Sequence, residues 1–357
     1  RETEMAYQAK TIEKGDIAKL IRMLAAEATL VAPVERSGEV AFAEVSGPEE
    51  VTLDYLNTLL PPKRFVLPQI EPMLHYDVDG RYKLEPIYEQ EKRILFGIRP
   101  CDVSAIAYLD YFFTENILDI YYTKRRENTT IISLTCQEPG ENCFCICADC
   151  GPFADSGFDI QLTDLGDKYL AEIGSERGAE LAAKAGDLFA EASEAEAAKR
   201  AELAEVAETR FKSTTTYFSA AIRHISTETL PEGLWEELGD RCLACGGCSY
   251  VCPTCSCFNV VDLGAGGVGT RYRCWDSCAL AGFTRMAGGH NPRKEKQDRR
   301  NRRFYHKLSY YYVQRQGRHG CVGCGRCITA CLGGIDMPAV VKMIRRGEVP
   351  ARVAAGG

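Results

Sequence analysis

Residues 242–253 read CLACGGCSYVCP, and residues 321–331 read CVGCGRCITAC. The first stretch spaces Cys242, Cys245, Cys248 and Cys252 as C-x2-C-x2-C-x3-C-P. The second repeats that spacing with Cys321, Cys324, Cys327 and Cys331, with Leu332 where the proline stood. A run of three thiolates at two-residue gaps wraps one compact cluster, and the fourth cysteine crosses to a neighbour, which is the pattern of a protein holding two [4Fe–4S] cubanes. The expected pairing is Cys242, Cys245 and Cys248 with Cys331, and Cys321, Cys324 and Cys327 with Cys252. Zinc knuckles also use C-x2-C, but as two separated pairs, so the doubled run favours iron–sulfur.

Working outward, the chain has 357 residues, a net charge of −7 and 18 cysteines. That length allows two or three domains. A disulfide scaffold is excluded, because such scaffolds are far shorter and these cysteines cluster at metal-ligand spacings. Arg1 to Lys10 is polar and lacks an apolar signal core. Reduced thiolates then imply a reducing compartment, and the expected location is cytoplasmic. No apolar run reaches the roughly 18 residues of a membrane span. The acidic balance gives no reason to expect nucleic acid.

The fold class expected is α+β, with an α/β N-terminal domain over 1–175 and an Ala/Glu-rich helical connector over 176–235. A mainly helical dicluster ferredoxin-like domain follows over 236–357, with a long insertion at 258–318. Ile17 to Ala26 has helical apolar spacing after Asp16. Strand-like runs follow at 65–67, 93–98 and 130–134, and 103–113 reads as a helix. Residues 175–211 read as a partly exposed helical pair broken near Gly186. Residues 337–345 read as a final helix before a Gly/Ala-rich tail.

Ten cysteines remain outside the two runs. Cys101 and Cys136 each follow a predicted strand, and Cys143 and Cys145 lie in the loop after the second. Strand ends of one sheet converge, and four thiolates suffice for a third cubane. Partly buried reduced thiols are the alternative. Cys147 and Cys150 share the loop and could substitute for any of the four. Cys255, Cys257, Cys274 and Cys278 are expected to be packing or cluster-shell thiols, not a fourth metal site. The basic run Arg293, Lys294, Lys296, Arg299, Arg300, Arg302 and Arg303, with His306 and Lys307, reads as a solvated face or a docking surface for acidic residues. The glycines of 264–269 do not fit a dinucleotide loop, so no nucleotide or flavin site is expected in this chain.

Seven segments together resemble a known family: GIRPCD (97–102), CFC (143–145), LTDLGDKYLAEIGSERG (162–178), VCPTCSCF (251–258), WDSC (275–278), AGGHNPR (287–293) and CVGCGRC (321–327). The chain resembles the iron–sulfur beta subunit of sulfhydrogenase-type nickel–iron hydrogenases, grouped with the A subunit of anaerobic sulfite reductase. The likeness runs from about residue 60 to 345. It implies an electron carrier between a flavoprotein subunit that handles NAD(P)H and a terminal redox subunit, such as a hydrogenase, a sulfite reductase or a heterodisulfide reductase-like protein. It also implies a third cluster, since Cys101, Cys136, Cys143 and Cys145 lie on family motifs. Cys147, Cys150, Cys274 and residues 179–208 look like local additions. The expected function is therefore an electron-transfer subunit with no catalytic residue of its own. The alternatives are a reductase that binds its own substrate near the basic run, and a zinc-stabilised interaction module.

Overall fold

The computed structural model describes residues 7–79, 82–212 and 214–349, so the Gly/Ala-rich tail expected after 350 lies outside the described residues. The elements in chain order begin with β1 (Gln8–Glu13), α1 (Ile17–Glu27), β2 (Thr29–Arg36), β3 (Glu39–Val45), β4 (Ile70–Asp77), β5 (Lys83–Pro86) and β6 (Arg93–Ile98). Next come α2 (Pro100–Thr114), α3 (Ile120–Glu127), β7 (Thr129–Leu134), β8 (Ile160–Asp164), β9 (Lys168–Ile173), α4 (Glu176–Ala185), β10 (Ala190–Glu191) and α5 (Glu194–Thr209). The C-terminal part holds α6 (Phe218–Ser226), α7 (Leu234–Arg241), α8 (Gly247–Tyr250), β11 (Phe258–Ala265), β12 (Val268–Trp275), α9 (Lys296–Leu308), α10 (Tyr310–Gln316), α11 (Arg326–Thr329) and α12 (Met337–Arg346). The fold is α+β.

Eight strands form one sheet in the order β10-β1-β9-β8-β7-β6-β2-β3. Its centre, β8-β7-β6-β2, is parallel, and antiparallel strands finish both edges. Apart from Arg93, Thr129, Thr130 and Ser133, RILFGI and TTIISL are apolar on both faces because parallel strands are covered on both sides, and every residue of β6 and β7 is buried. One face packs on α1 through Ile17, Leu20, Ile21 and Leu24. The other packs on α2 and α3 through Val103, Ile106, Leu109 and Tyr122. Gly97, at φ +76°, makes the bulge that shifts register between Phe96 and Ile98 just before the chain turns into α2. The strand expected at 65–67 is instead a 3-10 turn, Pro62–Phe65, running into a loop. Two prolines precede it, and the Leu67 carbonyl accepts from the Trp275 indole at 3.0 Å, so no sheet partner is left for that backbone.

The long insertion is not a free loop. Its hairpin, β11 and β12, joins β4 and β5 in a second sheet of order β11-β12-β4-β5. The glycine run makes the hairpin turn: Gly266 and Gly267 sit at φ +59° and +78° between the paired Ala265 and Val268. Arg273 of β12 is buried and pairs with Glu71 of β4 and with Asp119, while Arg125 reaches Glu71 at 2.8 Å. Segments nearly two hundred residues apart are thereby closed into one sheet.

The helix α2 buries apolar residues on two of its sides. Val103, Ile106 and Leu109 face the sheet, whereas Cys101 and Ala105 join the core built from α6, α7, α9 and α12. Asp102 on the same helix meets Arg326 of α11 at 2.6 Å, with both side chains 2% exposed. Removing one member of a buried pair leaves an uncompensated charge. Asp102→Ala is therefore expected to cost roughly 3–5 kcal/mol of stability, read by chemical denaturation of the loaded protein.

Candidate iron–sulfur sites

Each C-x2-C-x2-C loop ends in a short helix, α8 or α11, entered through a glycine at positive φ, Gly246 at +79° and Gly325 at +76°. These loops point backbone N–H groups inward. The Ala244 N–H reaches the Cys242 Sγ at 3.2 Å, and the backbones of Gly323, Arg326 and Met337 bond the sulfurs of Cys321, Cys324 and Cys327. Such N–H···S bonds stabilise thiolate charge.

Cys242, Cys245, Cys248 and Cys331 line one cavity of about 400 Å³. The fourth cysteine of the second run thus lies at the cavity of the first. Arg300 lines the same cavity; its Nη1 lies 3.7 Å from the Cys248 Sγ, while its Nε and Nη2 are buried without a hydrogen-bond partner among the described residues. A buried guanidinium with spare donors beside four thiols suits an anionic sulfur-rich group. The rim is apolar and open. Cys245 is exposed, and Leu243 and Leu332 are 63% and 87% exposed.

Cys252, Cys321, Cys324 and Cys327 make up the second candidate group. Cys252 acts electrostatically on each of the other three. Burial pushes the thiols of Cys321 and Cys324 up and that of Cys327 to about 12, so ligation there must displace protons.

The third group assembles at the carboxyl ends of two adjacent parallel strands, where open α/β sheets place their ligands. Cys101 follows β6 in the first turn of α2, and Cys136 follows β7. Together with Cys143 and Cys145 they line a cavity of about 350 Å³, and Cys324 lines it too. The loop carrying Cys143 and Cys145 lies directly on the second cysteine loop, with the Phe144 N–H donating to the Gly323 carbonyl at 2.8 Å. A Cβ on Gly323 would fall 2.5 Å from the Cys145 Cα, so glycine is what permits that approach. Asn57 Nδ2 donates to the Cys324 carbonyl at 2.8 Å from the sheet side. Cys150 is turned away toward Arg318 and the Ala148 carbonyl. Cys147 packs beside the C-terminal core and Cys274 sits in β12, neither among the cysteines that line the cavity.

The basic run departs only in part from the solvated face expected for it: Lys294 and Lys296 are exposed. On α9, Arg299, Arg300, Arg303 and Lys307 are buried. Arg303 Nη1 lies 3.9 Å from the Cys255 Sγ, and its charge, opposed by burial, is held by Cys248, Cys255, Cys252 and Cys327 around it. Lys307 donates to Thr254 Oγ1 and the Gly320 carbonyl, both at 2.7 Å. Lys63 of the N-terminal domain donates to the carbonyls of Cys252 and Cys255, also at 2.7 Å. The signal in the sequence was the i, i+4, i+8 spacing of Arg299, Arg303 and Lys307, which puts these cations on one helical face. Cys255, Cys257 and Cys278 line a further cavity of about 310 Å³ with Arg303, His306 and Lys307.

Among the described residues no three His, Cys, Asp or Glu side chains are placed to hold a single metal ion. The family model of the 4Fe-4S dicluster domain matches residues 241–335, which span both cysteine runs. The chain is 33% identical to the sulfhydrogenase 2 subunit beta of Pyrococcus furiosus over 318 residues, 89% of this chain and 92% of that protein. The chain belongs to the sulfhydrogenase beta-subunit family. It is therefore an iron–sulfur, electron-transfer subunit of the hydrogenase-type oxidoreductases. The alignment extends well beyond the dicluster domain, so the beta-subunit relationship takes in the N-terminal sheet as well. No described helix is long and apolar enough to cross a membrane.

Proposed function

We propose that this beta subunit holds three [4Fe–4S] clusters in a row and carries electrons between a flavoprotein subunit that handles NAD(P)H and a terminal redox subunit, in the cytoplasm. The observation that carries the reading is the grouping of twelve thiols as three neighbouring tetrads. The first is Cys242, Cys245, Cys248 and Cys331; the second is Cys321, Cys324, Cys327 and Cys252; the third is Cys101, Cys136, Cys143 and Cys145. Bound in such a tetrad, a cubane supplies one-electron redox chemistry at a potential set by its surroundings.

The residues of the chain do the rest. Arg303 lies among sulfurs of the first and second tetrads, and Cys324 belongs to the second while lining the cavity of the third. The sites are thus ordered first, second, third. The exposed Cys245, with Leu243 and Leu332 beside it, makes the first site the end where a partner's redox group comes close. Buried cations on α9 offset the negative charge of the thiolate-bound groups. Those cations face the thiols, and the partner roles fall to other subunits of a hydrogenase-type complex.

Iron and sulfide analysis of anaerobically purified protein tests the number: about twelve irons are expected per chain, against about eight for two cubanes. Replacing Cys143 and Cys145 together by Ala is expected to remove about four of them and leave the other signals in place. A count unchanged by that double substitution would remove the third site.

A further inference from the structure

The three tetrads leave Cys257 and Cys278 unused. We propose that these two cysteines form a redox-active dithiol–disulfide couple, a two-electron centre set beside the iron–sulfur sites; it rests on the cluster reading above for its source of electrons.

The hairpin makes the couple. Phe258 pairs with Trp275, so Cys257 and Asp276 stand opposite each other where the two strands leave the sheet. The Asp276 N–H donates to the Cys257 carbonyl at 2.9 Å, and two residues on, the Cys278 thiol comes back into hydrogen-bonding contact with the Cys257 thiol. Two half-buried thiols in contact, held by separate strands of one turn, are the precursor a disulfide needs. The surroundings are not those of inert packing. The pair lines the cavity of about 310 Å³ that also contains Arg303, His306 and Lys307. Arg303 and Arg300 act on Cys278, and the Ser249 hydroxyl lies 4.0 Å from its sulfur. The hydrogen bond from the Cys257 thiol, then the cations and the hydroxyl, favour the Cys278 thiolate against burial, and the thiolate is the form that enters thiol–disulfide chemistry.

The couple is also wired. Cys255 lines the same cavity and is hydrogen-bonded to the thiol of Cys252, a member of the second tetrad. Oxidation joins the Sγ of Cys257 to the Sγ of Cys278 and releases two protons to water and two electrons, passed singly to the iron–sulfur site of Cys252, Cys321, Cys324 and Cys327. Reduction reverses each of these: the S–S bond breaks, two electrons return from that site, and each sulfur regains a proton. The couple lets a one-electron relay hold an electron pair, which suits partners that give and take electrons in pairs.

The test uses the anaerobic, cluster-loaded full chain, oxidised with thionine and then titrated with dithionite, with iron and sulfide counted on every sample. Wild-type protein is expected to take up about two electrons per chain more than Cys257→Ser or Cys278→Ser, and the double variant to match either single one. In parallel, differential alkylation and mass spectrometry should recover the two cysteines as a cross-linked peptide pair from oxidised protein and as alkylated thiols from reduced protein. Equal electron uptake with both thiols alkylated in the oxidised sample would overturn the couple. Iron lost in either serine variant would overturn it too, by making the cysteine a ligand. Wild-type protein without iron would instead sink the cluster reading, and the alkylation result would still decide the couple on its own.

Discussion

In a Cys324→Ala variant, about four irons and four sulfides per chain are lost, and one paramagnetic cluster signal disappears. The effect is large for two reasons. Cys324 belongs to the proposed second tetrad, and its carbonyl accepts from Asn57 Nδ2. Metal ligation and folding are coupled, so the dicluster half loses stability along with its iron. Because Cys324 also lines the third cavity, the signal assigned to the third site is expected to shift in this variant without vanishing. The Cys143/Cys145 double substitution should do the reverse, removing the third signal and sparing the second. An unchanged iron count in Cys324→Ala would exclude this residue as a ligand.

Replacing Arg303 with Met should lower the potentials of the first and second sites. The guanidinium is buried among Cys248, Cys252, Cys255 and Cys327, where solvent screens it little. At an effective dielectric near 20 and a separation of roughly 7 Å, a unit positive charge favours one added electron by about 2 kcal/mol. That corresponds to a potential on the order of 100 mV lower once the charge is gone. Redox titration followed by electron paramagnetic resonance measures it, with Arg303→Lys as the control that keeps the charge. If Met and Lys left both potentials alike, the buried cations of α9 would be serving packing only. The same substitution at Arg302, which is bonded to the Tyr312 hydroxyl, should leave the potentials near those of the wild type.

The dicluster domain over 241–335 was legible from the spacing of the two runs, because a cubane dictates which thiolates a short loop can supply. The same spacing leads to the proposed crossed pairing, in which Cys331, which lines the first cavity with Cys242, Cys245 and Cys248, is the fourth ligand. The strands at 93–98 and 130–134 were readable from continuous apolar runs, and so was the position of Cys101 and Cys136 at their ends. Residues 65–67 misled, since a short apolar run beside prolines has no period by which to tell a strand from a turn. The basic run misled as well. Charge density argues for solvent, but a helix buries a cation wherever an anionic partner waits inside, and nothing local to Arg299–Lys307 shows that partner.

What the sequence determined by itself, then, is the dicluster pattern: thiols at intervals that suit a cluster, a property of a few covalently linked residues. Tertiary structure alone decided adjacency. It laid the loop of Cys143 and Cys145 on Gly323, closed the 258–275 hairpin onto β4, turned the cations of α9 toward sulfur, and brought Cys278 back to Cys257. Those contacts join residues tens to hundreds apart, and their positions follow from how whole elements bury their faces against one another, which no local pattern encodes.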